Sequence, residues 1–241
     1  FVVFLAVFIV KERRTRFPVI NFRLFHNWRF CAVTLVYIIM NICYTGSLYI
    51  LPFFMRVEMG FDSVTSGMFL MVTALFTLMT CMWAGKHADK KGNRPMVVAS
   101  VVINTIAMLL YCLYDAESPL WLIIAGYAAL GLVWGVGGGS AGSRIVDNVP
   151  KNHRGDGSAL LSFYVYLGSA LGSALFAGVF TLGSGASGQS FADLAPDVFM
   201  DGYLITMVVG LAVSALALIL SWVVNERRAY GENGHPADFE D

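Results

Sequence analysis

The chain has 241 residues, 57% of them hydrophobic and only 13% charged, with a formal net charge of zero and a mean hydropathy of +0.68. Soluble domains carry about 25% charged residues, so this chain cannot clothe a core of its size in water. A zero net charge also excludes a protein that holds nucleic acid by counterion release, and no nucleic-acid partner is expected.

Residues 1–10 form an apolar run that stops at Lys11. A signal peptide carries its basic residues before the apolar stretch, so this run reads as the tail of a membrane helix that begins upstream. In the linker that follows, Phe22, Phe25 and Trp28 alternate with Arg23, His26 and Arg29, the pattern of a short helix lying at the membrane surface. Apolar runs then recur at 30–55, 64–85, 95–114, 120–142, 159–182 and 203–224. Each approaches the roughly 20 residues that a helix needs to cross a bilayer. None shows the period-2 alternation of a membrane β-barrel. The expected fold is therefore all-α: a linker segment over 1–29, a six-helix transmembrane bundle over 30–224, and a disordered acidic tail over 225–241. With the truncated first helix the bundle makes seven crossings. The segment 183–201, rich in Gly and Ser with Asp193, Asp197 and Asp201, is the longest connection on its side.

Basic residues give an independent check. The segments 11–29, 86–94 and 144–154, together with Arg227 and Arg228, hold fifteen of the sixteen Lys and Arg, and Arg56 alone falls in the opposite set of loops. The positive-inside rule puts the first set in the cytoplasm. The expected location is the cytoplasmic membrane, multi-pass, with a cytoplasmic carboxyl terminus and the lipid bilayer as constant partner.

Three groups of residues stand out. The loop Gly85, Asp89, Gly92, Arg94 places a carboxylate between two glycines at a cytoplasmic turn. Two readings fit it: a charge-paired latch that biases one of two rigid-body arrangements, or a tight hairpin whose basic residues merely obey the topology. Gly131, Gly135 and Gly139 recur at four-residue spacing, as do Gly168 and Gly172, which lets helix backbones approach closely, either as a moving seam or as static packing. Tyr37, Asn41 and Tyr44 share one helical face. With Trp134, Asn104 and Tyr166 they are candidates to line a substrate cavity, the alternative being hydrogen bonding between helices. Ser158, Ser162, Ser169 and Ser173 share the face of Tyr166, where serines also bond back to their own helix.

No acidic residue or histidine falls in the middle of an apolar run, and an intramembrane enzyme would need one. Cys31, Cys43, Cys81 and Cys112 form no CxxC pair. No catalytic residue, metal site or cofactor is expected.

The run Gly85-Lys86-His87-Ala88-Asp89-Lys90-Lys91-Gly92-Asn93-Arg94 resembles the loop signature of the major facilitator superfamily. Residues 16–30 are similar to the linker after the eighth helix of fourteen-helix drug:proton antiporters. Leu51-Pro52-Phe53-Phe54-Met55 with Gly60 and Gly67, then Val149-Pro150 and Arg154-Gly155, extend the likeness. It departs at His87, Asn93 and Arg56. The resemblance implies the carboxyl-terminal half of a multidrug exporter driven by a proton gradient. It also implies that the proton-binding carboxylate lies in a missing amino-terminal half. A narrower transporter of a metabolite, lipid or siderophore, and a non-transporting scaffold or receptor, are the alternatives.

Overall fold

The computed structural model describes residues 28–147, 154–185, 188 and 190–223. Six helices account for nearly all of them: α1 (Trp28–Val57), α2 (Ser63–Lys91), α3 (Asn93–Cys112), α4 (Leu120–Asp147), α5 (Arg154–Ser184) and α6 (Pro196–Val223), with a 3-10 turn at Phe191–Asp193. All six are long and apolar enough to cross a membrane, and no strand occurs among the described residues. The truncated first helix, the interfacial helix expected before residue 28 and the tail after 223 lie outside the described residues.

Most helices run past their apolar stretches because polar caps and turns define the ends, not hydropathy. The Asp62 side chain accepts a hydrogen bond from the Thr65 amide at 3.2 Å, which caps α2; the Thr65 hydroxyl first and then this amide hold the Asp62 carboxyl below its ordinary range. Pro196 at the first helical position, with Asp197 beside it, starts α6 seven residues before the apolar run at 203. Between α3 and α4 the chain turns on Asp115 and Ser118, whose side chains bond each other at 3.0 Å and the local backbone.

The expected glycine bend at residue 85 does not exist. Helix α2 continues through Gly85 to Lys91, because Ala84 and Ala88 bury themselves in a small cluster with Met96 and Val136. The turn is made by Gly92 alone, at φ 83° and ψ 164°, a backbone region that glycine adopts without steric cost.

Helix α4 packs along both α2 and α3, α1 packs along α5 and α6, and α6 joins the two groups by touching α3 and α5. At the end away from the basic loop, Phe54, Tyr111, Tyr114, Tyr127, Phe180, Phe199 and Tyr203 are fully buried together. Three of these tyrosines anchor neighbouring backbones: Tyr111 donates to the Gly126 carbonyl at 2.9 Å, Tyr114 to Leu122 at 3.1 Å, and Tyr203 to Tyr111 at 3.1 Å. Lipid offers no competing water here, so every phenol must find a partner or go without.

Candidate functional site

Near the middle of α1 and α4, where the two helices approach, three aromatic rings form one column. Trp134 stacks on Tyr37 with centroids 6.0 Å apart and planes at 30°, and on Tyr44 with centroids 5.2 Å apart and planes at 21°. Tyr37 and Tyr44 stand on the same face of α1, with Asn41 between them. Asn41 is 2% exposed; its Oδ1 accepts from the Ser169 hydroxyl of α5 at 3.2 Å, while its Nδ2 has no partner. The Thr45 hydroxyl extends the chain by donating to Ser169 at 3.3 Å. The structure thus brings Tyr37, Asn41, Tyr44 and Trp134 into one neighbourhood, with indole and phenol faces for stacking and one spare amide donor.

The other two cavity candidates fall elsewhere. Asn104 is fully buried between α3 and α6, where its Nδ2 donates to the Ser214 hydroxyl at 2.8 Å and the Thr105 and Ser214 hydroxyls pair at 2.9 Å. It stitches two helices, leaves its Oδ1 without a partner, and does not join the aromatic column. Tyr166 is 75% exposed on α5 and does not join the stack. Of the serines on its face, Ser162 and Ser173 donate to their own helix at Ser158 and Ser169, and Ser169 reaches across to α1.

The glycines make two close seams. On α4, Gly131 faces the backbone of Thr73 and the Cβ of Phe76, and Gly135 faces Thr77 and Thr80 of α2. Threonine hydroxyls fasten that seam, Thr73 to the Tyr127 carbonyl and Thr77 to the Gly131 carbonyl, each at 3.0 Å. These threonines were not singled out in the sequence; their i, i+4 spacing opposite a glycine series was the available signal. On α5, Gly168 lies against Asn41 and Ile38, and Gly172 against Ile42, all on α1. Gly139 corrects the sequence reading: it is exposed, and a Cβ there would meet nothing within 4 Å, so it packs against no described helix. Each four-residue step overshoots a full turn by about 40°, so the third glycine of the series has drifted off the face that meets α2.

At the basic end, Asp89 is exposed in the last turns of α2 and Arg94 is half-buried at the start of α3, one on each side of Gly92. His87 sits over Trp83, with ring centroids 4.1 Å apart. At the opposite end Glu58 follows α1 with one carboxylate oxygen buried and unpartnered. Burial, reinforced by the Asp197 carboxylate, raises its pKa above the ordinary value. Among the described residues no group of three or more His, Cys, Asp or Glu could hold a metal.

The membrane-length helices are fastened by small residues and hold aromatic and amide groups at mid-height. The family profile described as Major Facilitator Superfamily matches residues 3–173. The chain belongs to the Major Facilitator Superfamily. Among curated relatives it is 29% identical over 173 residues to the uncharacterized MFS-type transporter YvkA of Bacillus subtilis, covering 71% of this chain and 39% of that protein. It is 29% identical to the riboflavin transporter RibZ of Clostridioides difficile, covering 71% of this chain and 38% of the relative. It is 23% identical to the multidrug efflux pump LfrA of Mycolicibacterium smegmatis, covering 73% of this chain and 35% of the relative. The matched part thus spans well under half of each relative's length. As a major facilitator chain it is a multi-pass membrane segment of a transporter rather than an enzyme, and its exposed apolar faces require a lipid environment.

Proposed function

We propose that this chain is the carboxyl-terminal half of a pump that exports hydrophobic or cationic drugs across the cytoplasmic membrane in exchange for protons. The observation that carries the proposal is the Tyr37–Trp134–Tyr44 column, which offers stacking and cation–π contacts at mid-height on two facing helices. Residues 30–55 of α1 and 120–143 of α4 carry no charge, so selection by ring faces, not by ion pairing, suits a broad range of flat or cationic compounds. The likeness to LfrA, a multidrug efflux pump, supports the drug reading, as does a 28% match to the class B tetracycline resistance protein of Escherichia coli over 131 residues. The likeness to RibZ supports a second reading, a narrower transporter of one ring-bearing metabolite.

The two halves rock about a midplane cavity, with Gly131, Gly135, Gly168 and Gly172 as the close seams and Asp89 and Arg94 biasing the equilibrium at the Gly92 turn. The proton gradient is the sole energy source, and its carboxylate lies in the remainder of the protein. The carboxyl terminus faces the cytoplasm, as the distribution of Lys and Arg supports. The test is accumulation of a fluorescent cationic dye in cells without their major efflux pumps, expressing the full-length protein. The wild type should lower dye levels only while the gradient stands, and Asp89→Asn at equal expression should lose the effect. Unchanged dye levels with the wild type would remove the drug-pump reading and leave the narrower transporter.

A further inference from the structure

The interval between Tyr37 and Tyr44 is already filled. Seven residues of α1 set the backbones of Tyr37 and Tyr44 about 10 Å apart along the helix axis. The Trp134 indole reaches both rings, with centroids 6.0 Å from Tyr37 and 5.2 Å from Tyr44. Trp134 and Tyr44 are half-buried, whereas Tyr37 is 3% exposed and Asn41 2%. The open end of the column is therefore the Trp134–Tyr44 end.

The polar group between the two tyrosines on α1 is incomplete. Asn41 spends its carbonyl oxygen on Ser169 and leaves Nδ2 without a partner. Turning the amide over would exchange the roles of the two ends but leave one of them unpaired, since the Ser169 hydroxyl serves one end only. A buried donor without an acceptor is costly to keep unless something supplies the acceptor for part of the working cycle. The backbone beside the indole is also bare. A Cβ on Gly138, one turn along α4, would stand 3.2 Å from the indole ring, and one on Gly139 would meet nothing within 4 Å. The indole thus lies against Gly138, where any side chain would crowd it.

We infer that Trp134 is a plug standing in for the ligand: a flat fused-ring compound enters this half by displacing the indole and stacking between Tyr37 and Tyr44, with an acceptor on its edge taking the Nδ2 donor of Asn41. The ligand class is planar, of two or three fused rings, and neutral or cationic, because no charged residue lies in the middle of either helix to oppose or demand a charge. The inference rests on the reading that this column lines the transport cavity, and it adds that the column selects for planarity through a competing side chain.

The two ideas separate on the sign of one mutation. If the indole were simply cavity wall, Trp134→Ala would weaken every ligand. As a plug it competes with flat ligands, so its removal strengthens them. The experiment measures binding of two cationic probes to the purified full-length transporter: ethidium, which is a flat fused-ring cation, and tetraphenylphosphonium, which is not flat. Trp134→Ala should bind ethidium on the order of tenfold more tightly and tetraphenylphosphonium within about twofold of wild type. Tyr44→Ala should weaken ethidium in both backgrounds. Weaker ethidium binding by Trp134→Ala, or an equal change for both probes, overturns the plug and leaves the cavity reading in place. A wild type that binds neither probe, with Trp134→Ala also inert, sinks both. A wild type inert to ethidium whose Trp134→Ala variant binds it supports the plug alone. Trp134→Phe, whose smaller ring fills the slot less completely, should move ethidium in the same direction to a lesser extent, and it carries the test if the alanine variant fails to fold.

Discussion

Gly172 on α5 and Ile42 on α1 touch through their backbones: a Cβ on Gly172 would lie 2.6 Å from the Ile42 carbonyl oxygen and 2.9 Å from its Cα. Neither atom belongs to a side chain that can swing away, so the two helices would have to part. Gly172→Ala should cost about 1–3 kcal/mol, read as a lower melting temperature in detergent. Gly139→Ala, which meets open space, should be neutral or slightly stabilising, since alanine is the better helix former. Equal losses at both positions would contradict the seam.

The contrast between Asn104 and Asn41 gives a second expectation. Asn104→Ala removes the 2.8 Å bond to Ser214, which keeps Thr105 as a partner, so the loss should be about 1 kcal/mol of stability with substrate KM unchanged. Asn41→Ala should alter KM for flat substrates. A raised KM in Asn104→Ala would return that residue to the cavity.

Glu58 makes stability depend on pH. Its carboxyl has a raised pKa in the folded state, first from burial and then from Asp197, so the folded protein disfavours the charged form. An acid shifted upward destabilises the fold once pH exceeds the unfolded value, and the penalty is absent below it. Glu58→Gln should therefore raise the melting temperature at about pH 8, and the gain should shrink as pH falls towards the ordinary glutamate value of 4.5. A gain that does not vary with pH would assign the effect to packing.

Tyr203→Phe deletes a hydroxyl that donates to the Tyr111 carbonyl at 3.1 Å in a region closed to water. The carbonyl is part of a helix and keeps its backbone bond, so the loss should be about 1 kcal/mol by thermal melting. No loss would mean that the ring and not the hydroxyl holds α6 to α3.

Much of the architecture is legible in the chain itself, because a bilayer forces apolar runs of fixed length and charge asymmetry sorts their ends. Helix ends are less so. Hydropathy places the start of α6 at 203, while Pro196 and Asp197 carry the local signal that starts it earlier. Gly85 looks like a bend, and only the burial of Ala84 and Ala88 against Met96 and Val136 shows why the helix runs through it. The aromatic column is half legible: the spacing of Tyr37 and Tyr44 is visible, but that Trp134 stands between them depends on how α4 meets α1. Asn41 and Asn104 look alike as lone amides in apolar runs. Each bonds one serine more than a hundred residues away along the chain, Ser169 or Ser214, and leaves its other amide atom unpartnered; what separates the two is that Asn41 stands beside the aromatic column.

One residue, Gly92, is the whole connection between α2 and α3. A joint that short has little slack, so the two helices share a fulcrum. A few Gly-Ser residues inserted there would leave both helices, their lengths and their charges intact and would give the mechanism backlash: either rod could lean before the other felt it.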